Sequence, residues 1–528
     1  MVKRPGAFRI EEVDLSGPPP IEGVETSVCG FLGTAERGPL SLSGVNEPGE
    51  YRRIYGGGVT GSSLFEVVKG FFANGGERCY VARVAGAGAV PATARLGPEG
   101  RLLPPPSRRG RSFRHDSPVL RITALGPGRW GNRVRIWVDD DVVPERRDAL
   151  NITVHYRTRR RTPAPAKRPY RTSSEAQGNP DDVHESFQGL SPDPSSREFF
   201  IRVINRDSAL IRMEGDPLPV LDLTVPVTLG GGRDGHSPAL PDYLGDPGAA
   251  PDRRTGLAAL SGEDEISLIT SPDMHLVAGL PEVLALSCEE QGDRFAILHM
   301  GPSPLEGNPC LLPCTSSYAA LYHPWIVVKK ERGPRGSPVP PCGHIAGAYA
   351  RVDRTQGVHR PPVGESLEGV VDLAVHLGRD EENALNGRGV NTIRAFPGGR
   401  FYIWGSRTLD PAGVRSIGVR RLLIQLEQSI SRGIRWAVHE PEASGILEIL
   451  LISIREFLGR AWSEGALKGT REEEAFFVSA GRGDDRGGGG AGAFPLTVGV
   501  APERPGEFIL FSIVRESSRF TVRESLVR

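Results

Sequence analysis

One stretch near the N-terminus restricts the fold more than any other. "TSVCGFLGTA" (Thr26–Ala35) is apolar almost throughout, the pattern of a buried strand. "SLFEVVKGFFANGG" (Ser63–Gly76) then sets Leu64, Val67, Val68, Phe71 and Phe72 on one helical face. Ser63 stands where a helix cap is wanted, and Gly75–Gly76 stop the helix. "CYVARV" (Cys79–Val84) returns as a strand. The three pieces make one strand–helix–strand unit and commit this region to an α/β layer.

The α/β pattern resumes beyond "LGGGRDG" (Leu229–Gly235). "EISLITSP" (Glu265–Pro272) and "RFAILHM" (Arg294–Met300) read as buried strands around the helical "LPEVLALSCEEQG" (Leu280–Gly292). In between, "RVRIWV" (Arg133–Val138), "NITVHY" (Asn151–Tyr156) and "FFIRVI" (Phe199–Ile204) read as short strands among Pro/Arg-rich stretches, an inserted all-β domain. The last part begins near Gly389, with a strand at Arg400–Trp404. Leu422, Leu426 and Ile430 mark one amphipathic helix; Leu447, Leu450, Leu451, Ile454, Phe457, Leu458 and Trp462 mark a second.

The expected fold class is therefore α/β and α+β multidomain, with an inserted all-β domain and extended terminal arms. The N-terminal arm covers 1–20, the α/β domain 21–84 and 229–388, and the β-rich insertion 85–228. A C-terminal α+β domain covers 389–480, and a Gly-rich link with a strand arm covers 481–528. Near the end, "LTVGVAPERPGEFILFSIV" (Leu496–Val514) reads as two strands and a turn. A lone hairpin is marginal in water, so Phe508, Ile509, Leu510, Phe511 and Ile513 are expected to pair outside their own chain. Phe8, Ile10 and Val13 of the N-terminal arm raise the same expectation.

Composition excludes several classes. Lys plus Arg number 64 and Asp plus Glu also 64, so no net charge draws the chain to nucleic acid or an anionic membrane. The basic loops at Arg108–Arg114 and Arg157–Arg171 lack interleaved aromatics and read as solvated. No apolar run approaches the roughly 18 residues of a membrane span, and the first residues lack a signal peptide's apolar core. Synthesis and assembly in the cytosol are expected. "GGGVTGSS" (Gly56–Ser63) lacks the lysine of a phosphate loop and reads as a turn before a helix. Cys310, Cys314, Cys342 and His344 carry zinc-ligand chemistry in a Cys-x3-Cys … Cys-x-His spacing; scattered thiols are the competing reading. No nucleophile elbow or paired-histidine zinc motif occurs, and no cofactor is expected.

Several segments, in order, resemble the contractile tail sheath family of phages and related injection systems. "PIEGVETSVCGFLGTAERGP" (Pro20–Pro39) is similar to the family's N-terminal signature, and "GRWGNRVRIWV" (Gly128–Val138) to the start of its inserted domain. "GVNTIRAFPGGRFYIWGSRTL" (Gly389–Leu409), "RRLLIQLEQSISRGIRWAVHEP" (Arg420–Pro441) and "FLGRAWSEGALKGTREEEAFFV" (Phe457–Val478) are the most specific. The resemblance implies a sheath-type core and a non-enzymatic subunit. Such subunits stack as hexameric rings around an inner tube and contract to drive it through a target envelope. The implied partners are copies of the chain itself, the inner tube protein, and baseplate and terminal cap proteins; nucleic acid and membrane insertion are not implied. It further implies terminal arms that complete a sheet shared with neighbours and a C-terminal domain on the inner wall; the Pro/Arg-rich loops of the insertion suit the outside. On this basis Lys468 and Arg471 are candidate tube contacts, and truncation after Ala493 is expected to leave a folded chain that cannot polymerise. The alternative is a cytosolic α/β enzyme with an unrecognised site.

Overall fold

A computed structural model describes residues 20–58, 61–97, 102–103, 119–139, 149–158, 181–215, 226–302, 312–329, 336–438, 445–480, 496–516 and 519–525. The chain divides into two compact units. The larger comprises Ser27–Val352 and Pro362–Pro411; the smaller comprises the residues through Thr26, Asp353–Pro361 and Ala412–Arg528.

The larger unit opens with β1 (Cys29–Thr34), β2 (Ser43–Val45), α1 (Pro48–Tyr55), α2 (Leu64–Ala73) and β3 (Cys79–Val84). β1 and β3 pair in parallel from Cys29↔Cys79 to Thr34↔Val84, joined through α2. Ser63 sits at the start of α2, but its side chain makes no capping bond; Ser62 Oγ accepts from Leu64 N instead. The chain then forms β4 (Pro91–Leu96), β5 (Leu120–Pro127), β6 (Val134–Asp139), β7 (Leu150–Tyr156), β8 (Val183–Leu190), α3 (Phe200–Asp207), β9 (Ile211–Gly215) and β10 (Val227–Thr228). These make two antiparallel sheets, β4–β5–β9 and β10–β6–β7–β8. Around Trp130, Ile136, Val154 and Leu210 they enclose a core of their own.

"FFIRVI" is a correction: it is the helix α3, not a strand, so the insertion is not all-β. Phe200 and Ile204 are buried one turn apart while Arg202 and Arg206 turn outward. A six-residue apolar run fits both periods, and the buried i, i+4 pair decides for the helix.

The chain returns as α4 (Leu240–Leu244), α5 (Gly256–Leu260), β11 (Leu268–Thr270), α6 (Leu280–Gln291), β12 (Phe295–His299), β13 (Ala319–His323), β14 (Ile326–Val328), β15 (Ser337–Val339), α7 (Cys342–Gln356), β16 (Val370–Leu373), α8 (Arg379–Gly387), β17 (Val390–Phe396) and β18 (Arg400–Trp404). The eight-stranded sheet runs β18–β17–β13–β12–β11–β1–β3–β2. It is parallel through its middle, and antiparallel only where β2 meets β3 and β18 meets β17. Residues 389–411 thus belong to the α/β sheet, and the C-terminal unit starts later than the sequence suggests. β17 pairs in parallel with β13 from Leu321↔Val390, which ties it to the older layer.

Helices α2 and α7 touch backbone to backbone. A Cβ on Gly343 would fall 2.0 Å from the Val67 carbonyl oxygen, and one on Gly347 2.3 Å from that of Phe71. Gly343→Ala should force the helices apart at a cost of about 1–3 kcal/mol. The urea midpoint of unfolding is expected to drop; an unchanged midpoint would refute the close approach.

The smaller unit holds α9 (Ile417–Gly433), α10 (Ile446–Ser463), α11 (Glu472–Ala475), β19 (Phe476–Ala480), β20 (Leu496–Val500), β21 (Ile509–Glu516) and β22 (Arg519–Ser525). Ile21–Thr26, expected in the α/β domain, is strapped to α9 in this unit. Val24 N donates to Ser429 Oγ at 3.0 Å and Arg421 Nη2 to the Thr26 carbonyl at 2.9 Å.

Candidate functional site: the C-terminal sheet and its helices

The C-terminal sheet is antiparallel, in the order β19–β20–β21–β22. Alternation along each strand separates its two faces. Register lines up Phe476, Val500 and Ile509, then Val478, Val498 and Phe511, then Ala480, Leu496 and Ile513. That face packs on Leu422, Leu426 and Ile430 of α9 and Leu450, Ile454, Phe457 and Leu458 of α10 in one continuous core. On the opposite face the Phe477 ring lies across Gly499, where a Cβ would come within 2.2 Å of it. Phe508 closes edge-on against Phe477, with ring centroids 5.0 Å apart.

The arm expected at Phe508, Ile509, Leu510, Phe511 and Ile513 is therefore not an unpaired strand. β21 has β20 on one side and β22 on the other, from Leu510↔Ser525 to Glu516↔Arg519. Phe511 and Ile513 are fully buried in their own unit. The sequence reading underestimated the last residues: Arg519–Ser525 is long enough to supply the missing partner. Among the described strands of this sheet, β19 and β22 carry the open edges. Phe8, Ile10 and Val13 lie outside the described residues.

Lys468 and Arg471 follow α10 in a loop. The Lys468 ammonium donates to the Gly465 carbonyl at 2.9 Å and its backbone N–H to the Ala501 carbonyl at 2.8 Å. Arg471 is exposed at the start of α11. Glu474 accepts from the Thr470 N–H and hydroxyl at 2.9 and 3.0 Å, which holds its carboxyl below the usual range.

Two charged sites in this unit escaped the sequence reading. Arg421 grips Asp353 with both nitrogens, at 2.7 and 2.5 Å, with both side chains 3% exposed. Arg420 pairs with Glu524 of β22 at 2.8 Å, and Glu427 lies buried farther along α9. Burial first, then the Glu524 charge, push the Glu427 carboxyl up to about 8, against the pull of Arg420. The cue in the sequence was partial: Arg420 and Glu427 stand in the apolar stripe of α9.

The described members of the predicted set, Cys314, Cys342 and His344, do not form a metal-holding group. Cys342 lies near Cys29, whose thiol is pushed up by burial and by its neighbours Cys79 and Cys342. His344 faces Gly70 of α2, Cys314 is half-buried against the core beside α6, and Cys310 lies outside the described residues. Among the described residues, no group of three or more His, Cys, Asp or Glu side chains is arranged to hold a metal ion. No described helix is long and apolar enough to cross a membrane.

An eight-stranded α/β core, a β-rich insertion and a C-terminal helix–sheet layer make a mixed α/β fold with several sheets, one shared with solved sheath proteins. Residues 249–409 match the family described as phage tail sheath protein central domain. A tail sheath protein of Vibrio phage KVP40 is 29% identical over 147 residues; the match covers 26% of this chain and 22% of that protein, so it spans about a fifth of the relative's length. The contracted helical sheath of the anti-feeding prophage shares the fold with TM-score 0.52 and 19% identity, over 96% of this chain and 98% of that one. A sheath tail protein from Listeria innocua does so with TM-score 0.61 and 14% identity, over 96% of both chains. Residues 249–409 thus carry the central domain of phage tail sheath proteins, and the chain shares their fold over 96% of its length.

Proposed function

We propose that the chain is the structural subunit of a contractile sheath, in a phage tail or a tail-like injection particle, and that it acts without catalysis or cofactor. The supporting observation is the sheath central domain at residues 249–409 within a sheath fold that spans 96% of the chain. Copies stack as hexameric rings around an inner tube. On a signal from the baseplate they rotate and spread, the sheath shortens, and the tube is driven through a target envelope. New contacts between subunits supply the work, so no nucleotide is required. Partners are further copies, the inner tube protein, and baseplate and terminal cap proteins. The particle assembles in the cytoplasm, with the β-rich insertion outermost.

The arms hold the lattice together. Because β21 is paired on both sides, exchange between subunits falls to the open edges at β19 and β22, and the segment bearing Phe8, Ile10 and Val13 adds to a neighbour's sheet. Negative-stain microscopy of the purified full chain tests the proposal. Striated tubes or stacked rings are expected; single compact particles at every concentration would overturn it.

Lys468 and Arg471 face acidic groups on the tube in this account, with Arg471 the freer of the two. Reversing both charges should weaken co-assembly with tube severalfold at low salt, and most of the effect should follow Arg471→Glu. Equal co-assembly by wild type and double variant at low salt would remove the contact.

A further inference from the structure

Strand β22 carries a carboxylate onto the apolar face of the C-terminal sheet. Register sets Glu524 beside Phe511, which is fully buried. Its Oε2 meets the Arg420 guanidinium, 2% exposed, at 2.8 Å. Two turns along α9, Glu427 brings a second carboxyl, 6% exposed, whose Oε1 is buried without a hydrogen-bond partner; Glu524 Oε1 is in the same condition. Two neighbouring charges on this side are accounted for: Arg421 is committed to Asp353, and Arg435, on the turn that follows α9, is exposed. Two ionised carboxylates against one guanidinium would leave a net charge out of water, which is costly. One proton makes the site neutral.

We propose that Arg420 and Glu427 form a proton-loaded seat for the carboxylate at position 524, so that β22 lies down on the sheet with uptake of one proton and leaves it with that proton's loss. The seat recognises a β-strand bearing a glutamate at this register, whether from its own chain or from a second copy. It therefore stands independently of the sheath assignment. With β22 lifted, Glu427 is solvated beside Arg420 and ionises in the ordinary carboxylate range, near 4.3. With β22 seated, burial and Glu524 raise it to about 8. The seated form thus holds the extra proton between those values. Seating weakens about tenfold per pH unit as pH rises through this window, and levels off above it.

Hydrogen exchange of the soluble full-length chain tests the seat. Protection factors of the amides of residues 519–525, corrected for intrinsic exchange, are compared at pH 5.5 and 7.5. The wild type should lose about a hundredfold of protection between the two. Glu427→Gln, which keeps the shape of the protonated acid, should change less than about threefold. Glu524→Gln, which frees Arg420 for Glu427, should loosen the strand at both pH values and shrink the pH effect below about tenfold. Constant protection in the wild type, or a hundredfold loss retained in either folded variant, would overturn the proposal.

Discussion

A chain ended after Ala493 should lose the fold of its smaller unit, and not merely its ability to polymerise. The cut removes Leu496, Val498, Val500, Phe511 and Ile513, none more than 1% exposed and all in one core with α9 and α10. At about 1.5–3 kcal/mol for each such side chain, the loss is on the order of 10 kcal/mol. Whole domains are stable by about 5–15 kcal/mol. Trp436 and Trp462 pack against that core, so near-ultraviolet circular dichroism reports on it. Loss of their signal in the truncated chain is expected, and a wild-type spectrum would contradict this packing. Ending the chain after Glu516 removes β22 and should cost much less of the signal, because the five core side chains of β20 and β21 remain.

Acid should destabilise the larger unit steeply, starting near pH 6.5, above the range where ordinary carboxylates titrate. His299, His323 and His344 are almost fully buried. Burial holds each ring down at about 4, against about 6.5 in an unfolded chain. These rings stay neutral in the folded state while the unfolded state takes up protons. Stability is therefore complete above about pH 6.5 and is lost as pH falls toward 4, by up to about 3 kcal/mol for each ring. Urea unfolding at pH 7, 5.5 and 4.5 should show midpoints falling across that interval. His344→Gln should reduce the fall by about 3 kcal/mol. A midpoint independent of pH from 7 to 4.5 would refute the buried neutral rings.

The acid response of the larger unit and the proton-loaded seat have opposite signs. A raised carboxyl in the smaller unit favours seating at low pH, while lowered imidazoles in the larger unit favour unfolding there. Exchange at residues 519–525 reports on the first, and the difference between wild type and His344→Gln in urea isolates the second.

Much of the larger unit was legible because its signals are local. β1, α2 and β3 show buried-strand and helix periods within sixty residues, and the observed elements follow them. The short run at Phe199–Ile204 misled because six residues fit either period, and only burial of Phe200 and Ile204 in the insertion's core decides. The boundary near residue 389 misled for a different reason. β17 and β18 look like the start of a new layer in sequence, yet pairing with β13 across about seventy residues makes them part of the old one. The C-terminal sheet was half legible. The hairpin register from Leu496↔Ile513 to Val500↔Ile509 follows from alternation and a turn. Its outer partners, β19 and β22, lie across stretches whose composition gave no pairing cue. The charged contacts were the least legible, since Arg420, Glu427 and Glu524 acquire meaning only once β22 is folded onto α9.

On the proposed function, this chain polymerises as a sheath whose C-terminal sheets are completed between copies. A cryo-electron microscopy reconstruction of the polymer formed by the full-length chain tests it most directly. A helical stack of sixfold rings is expected, in which each C-terminal sheet contains strands from more than one chain, joined at the β19 or β22 edge. A polymer whose C-terminal sheets each come from a single chain, or a chain that forms no ordered polymer, would contradict it.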